Sequence, residues 1–163
     1  MKISSYATFA TFALAAIILL LVTSEEAAGQ SSQIKVSVDT KESRHTFSIG
    51  EQIILVITVK NNGDSTAELS QSSDARDNQV SLTDASGHSL PMTALGKKIT
   101  DVFNISGPRR ALRLQPGASI QIELDISQIY DLSSPGDYAV SISRFVRRPR
   151  GTAKSSPLKF AIR

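Results

Sequence analysis

Basic side chains are the residues of this sequence best suited to a specific chemistry. The stretch RFVRRPRGTAK, residues 144–154, contains five of them: Arg144, Arg147, Arg148, Arg150 and Lys154. A second group lies upstream and consists of Arg109, Arg110 and Arg113. The planar guanidinium binds phosphate, sulfate or carboxylate groups through paired N–H donors. We therefore expect these side chains to bind an acidic ligand, although a solvated basic loop without a partner would have the same composition.

The charge of the chain is distributed unevenly along its length. The whole sequence has a formal net charge of +3 at pH 7. Residues 30–96 contain 5 basic and 8 acidic residues, whereas residues 97–163 contain 12 basic and 5 acidic residues. A basic half favours an acidic partner, and we expect an acidic protein, an anionic polysaccharide or an envelope surface. The sequence contains no nucleic-acid-binding motif, so we expect no nucleic acid partner.

Metal and cofactor chemistry has little support in the sequence. There is no cysteine, which excludes a disulfide, a thiolate nucleophile and a Cys-ligated metal. The two histidines, His45 and His88, are more than forty residues apart in polar sequence, where exposed loop positions are expected. Asp74, Asp77 and Asn78 offer oxygen ligands for calcium, but they lack the glycine and distal glutamate of an EF-hand loop. We expect local turn hydrogen bonds there, and we predict no metal and no cofactor.

Catalytic constellations are also missing from the sequence. Serines are abundant, but there is no G-x-S-x-G elbow to place one beside a base and an oxyanion hole. The segment GDST at 63–66 follows a predicted strand, yet no helical pattern follows it. Glu123 and Asp125 share one strand face, opposite an apolar face, so we expect them to point to solvent. We therefore predict that the protein is not an enzyme.

The first 29 residues have the form of a secretory signal peptide. Lys2 gives a positive start, and an apolar run follows from Tyr6 to Val22. Ala27 and Gly29 occupy the small-residue positions of a cleavage site before Gln30. The alternative is an uncleaved membrane anchor, and only then do we expect a membrane as a partner. The interpretation predicts a secreted or periplasmic, extracytoplasmic domain over residues 30–163.

Alternating apolar residues recur through the rest of the chain and predict strands. The clearest faces consist of Ile34, Val36 and Val38, of Ile53, Leu55, Ile57 and Val59, and of Ile120, Ile122, Leu124 and Ile126. Turn sequences separate such stretches, and no helix of ten residues is predicted after the leader. We predict an all-β fold, an antiparallel immunoglobulin-like β-sandwich of about seven to nine strands. Within residues 92–110, the segment KKITDVFNI predicts a further extended piece around Ile99 without a fixed register.

The predicted sandwich has neither the inter-sheet disulfide nor the core tryptophan of many immunoglobulin domains. Aromatic residues must then help to fill the core: Phe47, Phe103, Tyr130 and Phe145. Tyr138 follows the turn pair Pro135-Gly136, where such folds place a tyrosine whose hydroxyl bonds back to the preceding corner. We therefore expect structural roles for Tyr138 and Gly136, and for Gly50, which ends a loop before a strand.

Two stretches resemble known domain families. GEQIILVITVKNNGD at 50–64 is similar to the opening of many extracytoplasmic immunoglobulin-like domains. LQPGASIQIELDISQIYDLSSPGDYAV at 114–140 resembles the end of the β-sandwich domain that precedes the catalytic domain of deuterolysin-like zinc metallopeptidases. The first stretch, with the hairpin after it, is also similar to BsuPI-type proteinase inhibitor domains. Together the matches span about residues 49–146.

The resemblances imply a binding protein of one of two kinds. The zinc-binding His-Glu-x-x-His motif of the peptidases is absent from this sequence, so no catalytic residue carries over. The resemblance to the peptidase-associated domain therefore implies a non-catalytic accessory module, which would bind its partner through the arginine-rich loops. The BsuPI resemblance implies instead a secreted proteinase inhibitor, with residues 92–110 or 144–154 as its inhibitory loop.

Overall fold

Strands form in this chain because β-branched residues recur at every second position and bury one face. A computed structural model describes residues 33–101 and 110–163. Its strands are β1 (Ile34–Thr40), β2 (Thr46–Phe47), β3 (Ile54–Asn61), β4 (Ala67–Gln71), β5 (Asn78–Asp84), β6 (Arg110–Leu114), β7 (Ser119–Asp125), β8 (Gly136–Arg148), β9 (Gly151–Lys154) and β10 (Leu158–Ile162). A 3-10 turn (Lys41–Ser43) and two short helices, α1 (Asp74–Asp77) and α2 (Ala94–Thr100), complete the described elements.

The strands form two sheets that pack face to face. The smaller sheet has the order β1-β3-β7, and all its pairs are antiparallel. The larger sheet has the order β2-β10-β8-β4-β6, and β5 and β9 also pair with β8. Only β2 and β10 pair in parallel in this part of the chain. The first segment of the chain thus contributes β1 to one sheet and β2 to the other, in an immunoglobulin-like β-sandwich.

Strand β8 is the centre of the larger sheet. Its 13 residues pair on one edge with β10 and β9, and on the other edge with β5 and β4. The chain leaves the sheet between β4 and β5 to form α1, then returns to the same edge. Because two edges of β8 are each covered by two segments, the described residues contain ten strands, where about seven to nine were expected.

The core lies between the two sheets and contains the predicted face of β3, whereas Val38, Ile120 and Ile122 of the other predicted faces are partly buried and pack against it. Leu55, Ile57 and Val59 of β3 are 0% exposed. Strand β8 contributes Val140 and Ile142, which are equally buried. Aromatic packing adds to the core at one end, where the rings of Tyr138 and Phe160 stack at 5.6 Å and Phe47 meets Phe160 edge-on at 6.0 Å. Tyr130 is also buried, as expected.

Two predictions about apolar residues were wrong. Phe145 does not fill the core, because its side chain lies on the outer face of the larger sheet and is 48% exposed. Residues 97–100 of the segment KKITDVFNI form the end of helix α2 and not a strand. The prediction for Phe103 concerns a residue outside the described ranges.

Helix α2 forms where it does because of two local contacts. Thr93 caps its first turn, since the Thr93 hydroxyl oxygen accepts from the backbone N–H of Gly96 at 2.8 Å. Gly96 then lies against the backbone after β7, and a Cβ at this position would come within 2.1 Å of the carbonyl oxygen of Ile129. A short helix with a glycine in its middle carries no clear helical pattern, which explains why the sequence suggested a strand.

The predicted leader, residues 1–29, lies outside the described residues. Among residues 33–101 and 110–163, no helix is long and apolar enough to cross a membrane.

Tyr138 anchors the corner that precedes β8. Its hydroxyl donates to the carbonyl oxygen of Ser134 at 2.7 Å, and its ring is buried. The bend lies at Ser134, because β8 already begins at Gly136, so the Pro135-Gly136 pair is not the turn that the sequence predicted. Gly136 packs against the Tyr138 ring, and Gly50 has a φ of +78°, the left-handed conformation that favours glycine.

We predict that Tyr138→Phe lowers the free energy of unfolding by about 1 kcal/mol, because the Ser134 carbonyl loses its hydroxyl partner. Urea unfolding of the full chain measures this. Tyr130→Phe provides a second loss of unfolding free energy for comparison, because the Tyr130 hydroxyl makes the same kind of hydrogen bond, to the carbonyl oxygen of Val80 at 2.6 Å. An unfolding free energy that does not change for Tyr138→Phe would show that the corner is held by ring packing alone.

Candidate functional site

The arginine-rich stretch forms a β-hairpin and not the open loop that the sequence suggested. Residues 144–148 are the end of β8, and residues 151–154 are β9. Val146 pairs with Gly151, so residues 147–150 make a four-residue turn between hydrogen-bonded strands. The strand continues to Arg148 because β4 pairs there, with Glu68 opposite Arg148.

Four of the predicted binding residues lie exposed on this hairpin: Arg147, Arg148, Arg150 and Lys154. Within the described residues, none of the four forms a salt bridge with an acidic side chain. Lys154 lies opposite Ser143, further from the turn than the three arginines. The guanidinium groups of the turn therefore keep their hydrogen-bonding capacity for a partner outside this chain.

Arg144 was wrongly predicted as a ligand-binding residue. Its side chain points into the sandwich and is 3% exposed. One terminal nitrogen donates to Asn78 Oδ1 at 2.7 Å, and the other donates to the carbonyl oxygen of Ser70 at 2.9 Å. Nε has no hydrogen-bond partner in the described part of the chain. A guanidinium in this position fixes the fold and is not available to a ligand.

Helix α1 is attached to the sheet through Arg144. Asn78, which accepts from Arg144, also donates its side-chain amide to the carbonyl oxygen of Asp74 at 2.8 Å. Burial lowers the pKa of Arg144, and the charges of Asp77 and Asp74 oppose this shift. The carboxylates of α1 thus compensate the buried charge electrostatically, without a direct ion pair.

The upstream arginines lie on the edge strand of the larger sheet. Arg110 and Arg113 are both exposed on β6, while Arg109 lies outside the described residues. Arg113 pairs with Glu68 of β4, and its Nε lies 3.6 Å from the carboxylate. Because Glu68 is also opposite Arg148, the sheet brings Arg113 and the hairpin turn to the same end, whereas Arg110 lies further along the edge, opposite Gln71.

Phe145 is a component of this surface that the sequence reasoning assigned to the core. It lies on the outer face of β8, opposite Thr152 of β9 and two residues before Arg147. Residues two apart on a strand share a face, and Lys154 is its diagonal neighbour across the hairpin. The alternation of β8 contained the signal, since counting by two from Tyr138 places Arg144 inward and Phe145 outward.

We call the end of the sandwich that carries the 147–150 turn the hairpin end. The chain enters the described fold at this end, since the carbonyl of Gln33 accepts from Asn62 N at 2.7 Å. The turns at 61–66 and 115–117 lie here too, joined by a bond from Gly117 N to Asn61 O at 2.8 Å. Among the described residues, its basic side chains are Lys35, Lys60, Arg113, Arg147, Arg148 and Arg150, and its acidic ones are Asp64 and Glu68.

The opposite end of the sandwich has more acidic than basic side chains, although Lys41, Arg44 and Arg163 also lie there. The strand register places these carboxylates there: Asp39, Glu42, Glu51, Asp84, Asp125, Asp131 and Asp137. Several of them have basic partners, as in the ion pair between Arg44 and Glu51 and that between Arg163 and Asp137. The acidic end therefore contains several internal ion pairs, whereas the three turn arginines of the hairpin end form none with acidic side chains of the described residues.

Asp39, Ser43 and His45 form the group closest to a catalytic arrangement in the described chain. His45 Nε2 donates to Asp39 Oδ1 at 3.0 Å, and Ser43 Oγ donates to Asp39 Oδ2 at 2.7 Å. In a catalytic triad the serine donates to the histidine, which acts as its base. Here the serine donates to the carboxylate instead, so it lacks a base and the group cannot activate a nucleophile.

A cleft of about 500 Å³ lies beside the acidic end and was not anticipated from the sequence. Its floor includes Ala139 and Ala161, and its charged lining includes Asp84, Asp137 and Lys159. Asp84 already accepts backbone N–H groups of its own turn, and Asp137 pairs with Arg163. Both carboxylates of the lining therefore already have partners within the chain, and Lys159 is an exposed basic side chain at the edge of the cleft.

The candidate calcium ligands make local turn contacts. Asp77 accepts from the backbone N–H of Ser72 at 2.6 Å and from the Ser72 hydroxyl at 2.9 Å. Asn78 is buried against α1 and Arg144. In the described ranges, no three His, Asp or Glu side chains come together in a way that could hold a metal ion.

Comparisons with known proteins give no family for this chain. No family model matches it. No curated protein matches it at a significant level either. The similarities to deuterolysin-associated and BsuPI-type domains therefore stay predictions.

Solved structures show a loose similarity in fold. AlkC, an alkylpurine DNA glycosylase of Pseudomonas fluorescens, is 17% identical with a TM-score of 0.44, over 80% of this chain and 30% of that one. Alpha-2-macroglobulin of Escherichia coli is 14% identical with a TM-score of 0.46, over 80% of this chain and 16% of that one. The CARDB domain of a Pyrococcus furiosus protein is 10% identical with a TM-score of 0.39, over 80% of this chain and 87% of that one. Similarity at this level assigns no function to the chain.

We predict that Arg144→Met lowers the free energy of unfolding by about 2 to 3 kcal/mol, because it leaves Asn78 Oδ1 and the Ser70 carbonyl without their charged donor. Chemical denaturation measures this loss. Arg147→Ala is the matched control on the same strand and should change stability by less than about 0.5 kcal/mol, since its side chain is exposed. Equal effects of the two substitutions would contradict the structural role of Arg144.

We predict that Asp39→Asn weakens the dependence of stability on acid pH. The hydrogen bond from His45, followed by that from Ser43, lowers the pKa of Asp39 below its ordinary value of 3.8. The stabilisation of the fold by ionised Asp39 is complete above pH 3.8. It disappears as the pH falls through the lower pKa that Asp39 has in the folded state. Urea unfolding between about pH 5 and pH 2 should therefore show a smaller loss of stability for the variant than for the wild type.

The control for this experiment is Asp64→Asn, at an exposed position of the hairpin end without an ion pair in the described residues. This variant should follow the wild-type pH profile. If Asp39→Asn also follows it, the contacts of Asp39 with His45 and Ser43 do not stabilise the fold.

Proposed function

We propose that this chain is an exported, non-catalytic binding module that contacts an acidic partner through its hairpin end. The observation that supports the proposal is the set of three turn arginines without an acidic partner in the described residues. At the other end of the same molecule, basic and acidic side chains do pair. Although Arg113 pairs with Glu68 at the hairpin end, this contrast for the turn arginines supports the proposal that they bind an external acidic partner.

The geometry of the hairpin favours recognition over catalysis. Strand pairing up to Val146 and Gly151 holds the backbone of the turn, so Arg147, Arg148 and Arg150 are presented from a rigid base. A binding surface on fixed strands loses less conformational entropy on association than a mobile loop does. Phe145 adds an exposed apolar contact next to these charges. Arginine and phenylalanine are both enriched at the centres of binding interfaces.

The proteinase-inhibitor alternative draws less support from the same hairpin. A protease cleft needs an extended segment that projects from the inhibitor, whereas the turn between the paired residues Val146 and Gly151 has only four residues. The segment 92–110, the other candidate loop, contains helix α2 in its described part.

We predict that the triple substitution Arg147→Ala, Arg148→Ala and Arg150→Ala weakens binding to a polyanion by roughly tenfold or more, since each exposed charge contact contributes up to about 1 kcal/mol. The probes are poly-L-glutamate and dextran sulfate, and the measurement is titration by calorimetry at two salt concentrations. Wild-type affinity should fall as salt rises, because exposed charges are screened.

The control removes three exposed basic charges elsewhere: Lys97, Lys98 and Lys159. These three alanine substitutions lower the net charge by the same amount and should change the affinity by less than about twofold. If both triple variants lose affinity equally, binding depends on net charge and the proposal of a specific site is wrong.

A further inference from the structure

The shape of the basic surface suggests what kind of partner it meets. Its side chains come from both sheets: Lys35 and Lys60 lie on the smaller sheet, and Arg113 and the turn arginines lie on the larger one. The 500 Å³ cleft lies beside the acidic end, away from these charges. A charged area that covers one whole end of a domain, and not a pocket, suits a broad anionic surface.

Lys35 and Lys60 provide an independent indication. They are directly opposite each other in the antiparallel pair of β1 and β3, and both side chains are exposed. Like charges at opposed positions of a sheet repel and destabilise it. This repulsion decreases when the end of the sheet approaches a dense array of negative charges.

Phe145 adds an apolar contact at the rim of this end. It is half-exposed beside Arg147, with Thr152 across the hairpin. An aromatic ring next to cationic side chains is a combination that proteins use at membrane–water interfaces.

The position at which the chain enters the fold also supports a membrane as the partner. The described chain begins with Gln33 at the hairpin end, bonded to Asn62. Ten residues, 23–32, separate Gln33 from the apolar run that ends at Val22, and the extended chain from Val22 to Gln33 reaches at most roughly 40 Å. A membrane that holds this run is therefore connected to the basic end of the domain and not to the acidic end.

On the basis of the binding role proposed above, we infer that the acidic partner is a membrane surface rich in anionic lipid headgroups. The hairpin end faces this surface, with the basic side chains of both sheets at the headgroups and Phe145 beside them on the outer face of the hairpin. The acidic end points away from the membrane. Each lysine or arginine near such a surface contributes about a factor of five to binding.

A single tryptophan tests the orientation directly, because the chain contains none. Phe145→Trp places the probe at the hairpin end, and Ile49→Trp places it at an exposed position (54%) near the acidic end. Both are made in the full chain, with the N-terminus of the recovered protein identified by mass spectrometry. The vesicles are phosphatidylcholine alone or mixed with phosphatidylglycerol, and a lipid with a spin-labelled headgroup serves as quencher.

We expect Trp fluorescence of the Phe145→Trp protein to shift to the blue and to be quenched with the anionic vesicles only. The Ile49→Trp protein should show neither change. This comparison holds whether or not the apolar run is retained, because both proteins have the same N-terminus. Changes at position 49 equal to those at position 145, or no change at either, would overturn the inference.

Vesicle co-sedimentation then separates this inference from the proposed function. The triple alanine variant of Arg147, Arg148 and Arg150 should lose roughly a hundredfold in partitioning to anionic vesicles, relative to the triple variant of Lys97, Lys98 and Lys159. If the wild type ignores vesicles but binds poly-L-glutamate or dextran sulfate through the turn arginines, the partner is an acidic protein or polysaccharide. The inference then fails and the proposed function stands. If the wild type binds neither the vesicles nor the two polyanions, both the inference and the proposed function are wrong.

Discussion

Hydrogen bonding along both edges of β8 is the constraint on which the rest of the structure depends. Four other strands and the excursion through α1 take their positions from this one strand. Once both edges are paired, the strand cannot rotate, and its side chains must alternate strictly between core and solvent. The same constraint buries Arg144, exposes Phe145 and holds the arginines of the 147–150 turn at the end of the sheet.

Most of the strand architecture could be predicted from the sequence, because the apolar alternation is strong. Ile57, Val59 and Leu124 are buried as their positions indicate. The errors arose where composition was given more weight than register. The charges of RFVRRPRGTAK favour a loop, although the period of two that starts at Tyr138 continues through Val146 and makes Arg144 an inward position. A buried guanidinium needs Asn78 and the Ser70 carbonyl, and no local pattern indicates those contacts.

The exposure of the hairpin charges could be predicted from the sequence, but the burial of Arg144 and the extent of the basic end could not. Arg147, Arg148, Arg150 and Lys154 are exposed on one hairpin, as their clustering in sequence suggests. The division of the sequence into an acidic and a basic half does not correspond to the two ends of the molecule. Antiparallel pairing brings Lys35 and Lys60 from the acidic half to the basic end, and carries Asp125 and Asp137 from the basic half to the other. Such an arrangement depends on strand order, which charge counts do not contain.

The separation of charge between the two ends makes the described part of the protein an electric dipole along the strand direction. In the field of an approaching anionic body, a dipole experiences a torque that turns its positive end forward before any contact forms. Fewer encounters then occur in unproductive orientations, so the rate of association rises more than the lifetime of the complex. Added salt removes this alignment first, because it acts beyond the Debye length of about 8 Å at physiological ionic strength.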